Sequence, residues 1–438
     1  MQVTKRGISS LVNNEAKEFA MYTIEERALP SMIDGLKPVQ RYILYSVLKN
    51  AGKSFKKNAA IAGVISEYGY NHGEVAAMDA ACLMASTWNN NFPIIQGQGN
   101  FGSRAVQEGA AARYIFCTKH DQFDSMFKDM ELLEESTADG SELPRYYLPI
   151  LPTVLLNGVS GIATGFATKI LPHSLVSVAK CVEQVLKTGK CDEPQIQFPL
   201  FYGKITPVVD KNQAWTLEGC YELSGKTKLT ISEIPVKYDR VKYVTLLDKL
   251  VETDKIVGYD ESKMDDREFC FKITLKRDFD TSHENIIKTF KLAQNVSQYI
   301  RVIDQNGDLK PYEKASDLIV DFVNYRFGIL QKRIDNAIVA TTEKLGYAQA
   351  KVEFIKLVLD EKIKFHKQTR KQVIEQIQAF DSLKDYAEQL VQMNLYHMTE
   401  DELTKLEKQV TELTKENDFW KNTSPKKQYQ SDIKEFLK

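Results

Sequence analysis

The sequence predicts an α+β protein of several domains, and two changes of pattern along its 438 residues mark three segments. Short helices separated by turns dominate residues 1–145, and strand-like runs alternate with shorter helices in residues 146–320. One long helical pattern then begins the segment 321–438. A single hydrophobic core seldom serves more than about 250–300 residues, so a chain of this length is expected to divide into domains.

Four helices are predicted in the first segment, and the third and fourth flank a short turn. The turn Gly69-Tyr-Asn-His-Gly73 between two short helices is typical of a helix-turn-helix. Pro38 suits the first position of the second helix, because a proline there loses no helical hydrogen bond. The predicted helices are Asn13–Arg27, Pro38–Leu48, Ala59–Tyr68 and Glu74–Ser86.

The second and third segments differ in their apolar periodicity. Runs such as Leu229–Ile234 and Phe269–Leu275 predict strands. From Val323 to Leu359, apolar residues follow one another in steps of three or four, with Thr341 as the only polar member. A second seam from Leu403 to Trp420 begins after Thr399, a predicted helix cap. Residues 320–365 and 399–421 therefore predict an antiparallel coiled-coil stalk, with residues 366–398 as a helical knob at its tip.

Composition excludes several classes of protein. No run of about 18 apolar residues predicts a membrane span, and the first residues do not resemble a signal peptide. The six cysteines are scattered without a CxxC pair, which predicts reduced thiols in a cytoplasmic protein. The net charge of −1 does not indicate a nucleic-acid partner, although the first 60 residues lean basic. Those charges fit either a solvated face or a DNA-binding face.

Glycine-rich stretches and acidic residues offer only weak alternatives. Gly97–Gly102 matches GxGxxG, but the run before it is a poor strand and no helix pattern opens after it, so a dinucleotide-dependent enzyme is a remote alternative. Gly158–Gly165 lacks the lysine of a phosphate-binding loop. The histidines show no metal-ligand spacing, and Asp265-Asp266 sits in a polar turn. No metal site is predicted in this chain.

Six motifs in a fixed order carry more information than any of these features. Together they resemble the breakage-reunion subunits of DNA gyrase and topoisomerase IV, which are type IIA DNA topoisomerases. The resemblance runs from about residue 15 to 180 and returns in Ile231–Pro235 and Leu395–Thr399. The motifs are Arg27-Ala-Leu-Pro30, Asp34-Gly-Leu-Lys-Pro-Val-Gln-Arg41, His72-Gly-Glu74, Gln98-Gly-Asn-Phe-Gly-Ser103, Ala111-Ala-Arg-Tyr114 and Asn157-Gly-Val-Ser-Gly-Ile-Ala-Thr-Gly165.

The resemblance implies a fold and a size class. Residues 1–145 are expected to form a winged-helix-type DNA-cleavage domain, residues 146–320 a tower domain, and residues 321–438 the coiled-coil stalk with a dimer gate. The chain stops soon after the stalk and resembles most the bacteriophage members of the family. No gyrase-type wrapping segment follows residue 421, which favours relaxation or decatenation over supercoiling.

The resemblance also implies a catalytic tyrosine. Tyr114 matches the nucleophile that joins covalently to DNA, and Arg113, Arg27 and His72 match the groups that assist it. A free tyrosine has a pKa of about 10, so nearby cations are needed to favour the phenolate and the crowded phosphoryl transition state.

A second set of residues is implied to bind the cleaved duplex. Lys37 and Arg41 are expected to hold backbone phosphates, and Ile162 to push between base steps and bend the DNA. A solvated charge and a core isoleucine are the plainer alternatives for these positions. Further DNA contacts are expected on the glycine-rich loop, from Gln98, Asn100 and Ser103.

Two positions depart from the bacterial pattern. Gln40 stands where bacterial relatives have histidine, which puts a third charged DNA contact in doubt. Val75 stands where they have the serine or threonine that helps quinolones bind, although Asp79 keeps its acid.

The expected partners are double-stranded DNA, a second copy of the chain, and a large subunit. Cutting both strands needs two tyrosines, hence a homodimer. The large subunit is expected to carry an ATPase and a Toprim domain that hold ATP and Mg²⁺, since neither has a visible site here. The main alternative is a non-catalytic helix-turn-helix protein that binds DNA or organises chromosomes as a dimer, with Tyr114 buried.

Overall fold

The computed structural model describes residues 7–52, 54–136, 143–262, 268–394 and 400–438. The fold mixes helices and sheets, as the sequence predicts. It has two compact units, the first formed by the chain up to Arg326 with Asp432–Lys438 and the second by Phe327–Ser431. The finer boundary near residue 145 stays a prediction. In these described ranges, no helix is long and apolar enough to cross a membrane.

The four helices predicted near the start of the chain are confirmed, with small differences at their ends. The first is a continuous helical segment from Ile8 to Ala28 that includes two π turns, Val12–Ala16 and Ile24–Ala28. The third ends in a 3-10 turn, Val64–Tyr68. The α-helices of the first unit are α1 (Ile8–Leu11), α2 (Lys17–Thr23), α3 (Pro38–Ala51), α4 (Asn58–Gly63), α5 (Glu74–Ala85), α6 (Phe123–Met126), α7 (Thr153–Asn157), α8 (Leu175–Thr188), α9 (Arg240–Glu252) and α10 (His283–Thr289).

A three-stranded antiparallel sheet and a hairpin accompany these helices. The sheet has the order β1-β3-β2 and is formed by β1 (Lys56–Lys57), β2 (Ile95–Gln98) and β3 (Phe116–Lys119). The run before Gly97, residues 89–95, is a poor strand as predicted, because only its last residue belongs to β2, which pairs with β3 along its whole length. The hairpin consists of β4 (Val159–Ile162) and β5 (Ala167–Ile170).

The region from residue 200 to 312 contains three antiparallel sheets. Both predicted strands are confirmed, and they are neighbours in a four-stranded sheet of order β10-β11-β9-β8. Its apolar face packs on α9 and α10, around Tyr243, Phe271 and Phe290. The strands are β6 (Lys204–Pro207), β7 (Ala214–Glu218), β8 (Cys220–Ser224), β9 (Lys228–Glu233), β10 (Ile256–Glu261), β11 (Phe271–Leu275), β12 (Ala293–Ser297), β13 (Ile300–Ile303) and β14 (Leu309–Tyr312).

A 45-residue helix, α11 (Ala315–Leu359), confirms the long apolar periodicity. In the second unit, α14 (Glu400–Asn422) runs antiparallel to it, because Lys356 pairs with Glu407 while Thr342 bonds to Asn417. α12 (Arg370–Gln378) and α13 (Ala387–Leu390) share a small apolar core with α11. α15 (Pro425–Phe436) follows.

The polar member of the predicted seam is accommodated within its own helix. The buried hydroxyl of Thr341 donates to the Ala337 carbonyl at 2.6 Å, so it needs no partner on another element. The predicted cap Thr399, the motif Leu395–Thr399 and the Asp265-Asp266 pair lie outside the described residues.

Candidate active site

Tyr114 ends a tight turn immediately before β3. Its amide donates to the Ala111 carbonyl at 2.8 Å, and the carbonyls of Ala112 and Ile115 accept amides from the first turn of α4. The backbone is therefore held on both sides while the side chain is 65% exposed. The guanidinium carbon of Arg113 lies 4.8 Å from the centre of the Tyr114 ring. The main alternative required a buried tyrosine, and the structure contradicts that requirement.

Arg27 and His72 form a second cluster, on the first helical segment and on the turn before α5. Arg27 Nη2 lies 3.0 Å from His72 Nδ1, and Tyr22 Oη lies 3.1 Å from His72 Nε2. Burial lowers the pKa of His72, and the charge of Arg27 lowers it further. Within the described residues, no hydrogen bond, ion pair or ring contact joins this cluster to Arg113 or Tyr114.

Arg41 makes a bidentate ion pair with a buried carboxylate. Its Nε lies 2.8 Å from Asp34 Oδ2 and its Nη2 lies 3.0 Å from Oδ1. Asp34 is fully buried and also accepts the amides of Leu36 and Tyr147. The Asp34 carboxylate therefore holds the Arg41 guanidinium in one orientation, which the sequence did not predict. The phosphate contact expected for Arg41 stays a prediction.

Lys37 links the start of α3 to the β4–β5 hairpin. Its ammonium donates to the Ser160 carbonyl at 2.7 Å, and burial lowers its pKa. Gln40 accepts the Lys37 amide at 2.9 Å, which caps α3 from within. An ammonium has three donors, and among the described residues Ser160 accepts one of them, which leaves two for a ligand.

Ile162 lies at the tip of that hairpin with 84% of its side chain exposed. The alternative of a core isoleucine is therefore wrong. Gly161, the residue before it, packs directly on the end of the first helical segment: a β-carbon there would lie 2.9 Å from the Ala28 carbonyl carbon and closer still to its oxygen. Only glycine allows this approach, which fixes where the exposed isoleucine stands.

Hydrogen bonds from side chains to backbone amides within the loop shape the glycine-rich segment after β2. Asn100 Oδ1 accepts the Gly102 amide at 2.9 Å, and Ser103 Oγ accepts the amides of Ala105 and Val106. Gln98 pairs with Phe116 at the end of β2. No helix opens after Gly102, where φ is +82°, and the geometry of a dinucleotide site is absent from this loop.

Sequence reasoning missed a buried ion pair behind this loop. Arg104 Nη2 lies 3.2 Å from Glu233 Oε1, and both residues are 2% exposed. The same guanidinium donates to the Ile234 carbonyl at 3.0 Å. This pair joins the stretch Ile231–Pro235 to the loop that leads to Tyr114.

One groove connects several of these elements. It has a volume of about 820 Å³ and runs between α3, α5 and the hairpin, with Arg27, Lys37, Asp79 and Ser160 among its lining residues. Val75 projects from the first turn of α5 with 70% exposure. Across the ranges that the structure describes, no three His, Cys, Asp or Glu side chains lie together as a metal site.

Comparisons with known proteins identify the family of this chain. A family profile for the A-type subunits of DNA gyrase and topoisomerase IV matches residues 27–437. The DNA topoisomerase medium subunit of Enterobacteria phage T4 is 43% identical over 99% of this chain and 100% of its own length. DNA topoisomerase 2 of Arabidopsis thaliana is 29% identical over 84% of this chain, which spans 26% of that longer relative.

A solved structure shows the same fold. The DNA-binding, cleavage and re-ligation domain of Plasmodium falciparum topoisomerase II superposes with a TM-score of 0.83, covering 97% of this chain and 63% of that one at 24% identity. The chain therefore belongs to the DNA gyrase/topoisomerase IV A-type family, the DNA cleavage and religation subunits of type II DNA topoisomerases. The predicted likeness to bacteriophage members is confirmed.

Proposed function

We propose that Tyr114 is the nucleophile of this chain, which makes a transient double-strand break as a homodimer. The observation that carries the proposal is the exposed Tyr114 side chain on a rigid turn, with Arg113 beside its ring. The tyrosine oxygen attacks a backbone phosphorus, and the bond to one deoxyribose oxygen breaks. The tyrosine loses its proton, and the departing sugar oxygen gains one. The reverse attack reseals the strand without ATP, because the phosphotyrosine ester keeps the energy of the broken bond.

Cationic groups support the charge that develops during this transfer. Arg113 is exposed next to Tyr114, and a guanidinium offers a permanent charge with paired donors suited to phosphate oxygens. The Arg27–His72 cluster supplies a second set of donors. We assign these three residues to the scissile phosphate, and removal of one such donor typically lowers a rate by about 10²–10³-fold.

The groove and hairpin form the proposed DNA-binding face. Lys37 approaches the groove from the start of α3, and the free donors of its ammonium suit a backbone phosphate. Ile162 stands exposed at the hairpin tip, as a side chain must in order to enter a base step and bend the duplex. Gln98, Asn100 and Ser103 complete this face, with Asn100 and Ser103 chiefly shaping the loop.

A larger partner subunit is proposed to supply the metal and ATP sites of the topoisomerase. The donor residues of the described ranges do not fit a metal, so no step is assigned to Mg²⁺ on this chain. The proposed partner carries the Toprim and ATPase domains, and with them the Mg²⁺ and ATP that strand passage uses. α11 and α14 are proposed to form the coiled-coil stalk that carries the dimer gate.

Substitution of the nucleophile tests the proposal. Tyr114→Phe removes only the attacking hydroxyl, so the variant should bind DNA nearly as wild type yet form no covalent adduct in the reconstituted complex. The matched control is Tyr146→Phe, because Tyr146 also follows an arginine whose guanidinium contacts its ring, at 5.3 Å. Adduct formation by Tyr114→Phe would show that another residue is the nucleophile.

A covalent adduct also separates this proposal from the non-catalytic DNA-binding alternative. Denaturant added during cleavage should trap DNA on the wild-type chain. A chain that binds and bends DNA without any trapped adduct would favour the alternative.

A further inference from the structure

Tyr22 contacts the same imidazole as Arg27, although no motif pointed to it. Its hydroxyl lies 3.1 Å from His72 Nε2, opposite the Arg27 contact at Nδ1. The guanidinium carbon of Arg27 also lies 5.8 Å from the centre of the Tyr22 ring. Both nitrogens of the one imidazole are therefore engaged from the same helical segment.

A local departure from α-helical geometry places Tyr22 and Arg27 on one face. The Leu29 amide donates to the Ile24 carbonyl five residues earlier, which is the spacing of a π turn. A regular α-helix has 3.6 residues per turn and would turn residues five apart away from each other. Single π turns inside helices often occur at functional sites.

The two contacts fix the protonation state of the imidazole. A guanidinium can only donate, so His72 Nδ1 must present its lone pair to Arg27. The proton of the neutral ring is then on Nε2, where it donates to Tyr22 Oη. A second proton on Nδ1 would place two donors, Nδ1–H and the Arg27 guanidinium, against each other. Burial and Arg27 both lower the pKa of His72, whereas Glu26 acts in the opposite direction.

We propose that Tyr22 is a positioning residue that holds the His72 ring in place by accepting the Nε2 proton, while Arg27 fixes which nitrogen carries that proton. A phosphate oxygen that replaces the Tyr22 hydroxyl then meets a donor that is already oriented, with the Arg27 charge on the far side of the ring. This inference rests on the proposed role of His72 in cleavage. It adds Tyr22 as the group that orients the Nε2–H donor of His72 before DNA binds.

Nitrogen NMR of the full-length chain tests the tautomer directly. With ¹⁵N-labelled histidine, the His72 resonances are those lost in His72→Gln. In the wild type they should show a protonated Nε2 and an unprotonated Nδ1. In Tyr22→Phe the tautomer should stay the same, because Arg27 still donates to Nδ1, but the Nε2 resonance should shift because its hydrogen-bond acceptor is lost. An Nε2 resonance that does not move in Tyr22→Phe, or a proton on Nδ1 in the wild type, would overturn the proposal.

Single-turnover cleavage tests the consequence. At saturating DNA, Tyr22→Phe should form covalent adduct about 3- to 10-fold more slowly with unchanged DNA affinity, the rate equivalent of one neutral hydrogen bond. Tyr42→Phe is the control, because this half-buried tyrosine packs against Tyr70 and not against His72. A Tyr22→Phe rate equal to that of the control would overturn the positioning role. Wild-type cleavage by His72→Gln would instead contradict the role of His72 itself, and with it the kinetic consequence drawn here.

Discussion

Gly161→Ala should displace Ile162, the side chain proposed to enter a base step as a wedge, while leaving Ile162 itself unchanged. The added β-carbon would meet the Ala28 carbonyl group, whose carbon is 2.9 Å away. These are backbone atoms, so no flexible side chain can move aside and the hairpin must shift outward. Overpacking of this kind costs about 1–3 kcal/mol. The shift also lengthens the bond from Lys37 to the Ser160 carbonyl, and both effects act on the strand that ends in Ile162.

Two measurements check this prediction. Energy transfer between dyes at the ends of a bound duplex should show a smaller bend, and the thermal unfolding midpoint should fall by about 1–3 °C. Gly258→Ala is the matched control, because Gly258 is also a strand glycine but a β-carbon there meets nothing within 4 Å. If Gly161→Ala and Gly258→Ala bend DNA and melt alike, the argument from close packing is refuted.

Four further outcomes follow from the structure. Arg113→Ala should slow adduct formation by about 10²–10³-fold without moving the cut sites, and a wild-type rate would remove it from the transition state. Ile162→Ala should bend DNA less and cleave it more slowly, whereas equal energy transfer would exclude the wedge. Val75→Ser should raise quinolone sensitivity, since the exposed valine offers no hydroxyl on the first turn of α5; unchanged dose dependence would contradict this. Burial lowers the pKa of His173 to about 4, whereas an unfolded histidine has a pKa of about 6.5. The free energy of unfolding should therefore fall by up to about 1.4 kcal/mol per pH unit as the pH drops from about 6.5 to about 4. An NMR titration that gives His173 a pKa near 6.5 would contradict this prediction.

Elements with local signals could be predicted from the sequence. The helices around Gly69–Gly73 and the long helix α11 follow from apolar periodicity and turn residues, which act over a few positions. The exposed Tyr114 was found through the arginine before it and the glycine-rich loop upstream, and the exposed Ile162 through a motif whose glycines set the backbone around it.

Features that depend on distant partners could not be predicted. β2 is a short strand of Ile, Gln and Gly residues, and it exists because β3 supplies its hydrogen bonds. Arg41 lies only seven residues after Asp34, yet the sequence does not show that the Asp34 carboxylate is buried and pairs with it. Arg104 and Glu233 are 129 residues apart, so no local pattern links them. The contact of Tyr22 with His72 depends on the π turn Ile24–Ala28, and no sequence pattern predicts that turn.

Peptide mapping of the trapped DNA adduct tests the central claim most directly. The wild-type chain, reconstituted with the large subunit, is stopped with denaturant during cleavage, digested with nuclease and protease, and analysed by mass spectrometry. The account predicts one modified peptide, with the nucleotide remnant on Tyr114. A remnant on any other residue, or DNA broken with no remnant on this chain, would contradict it.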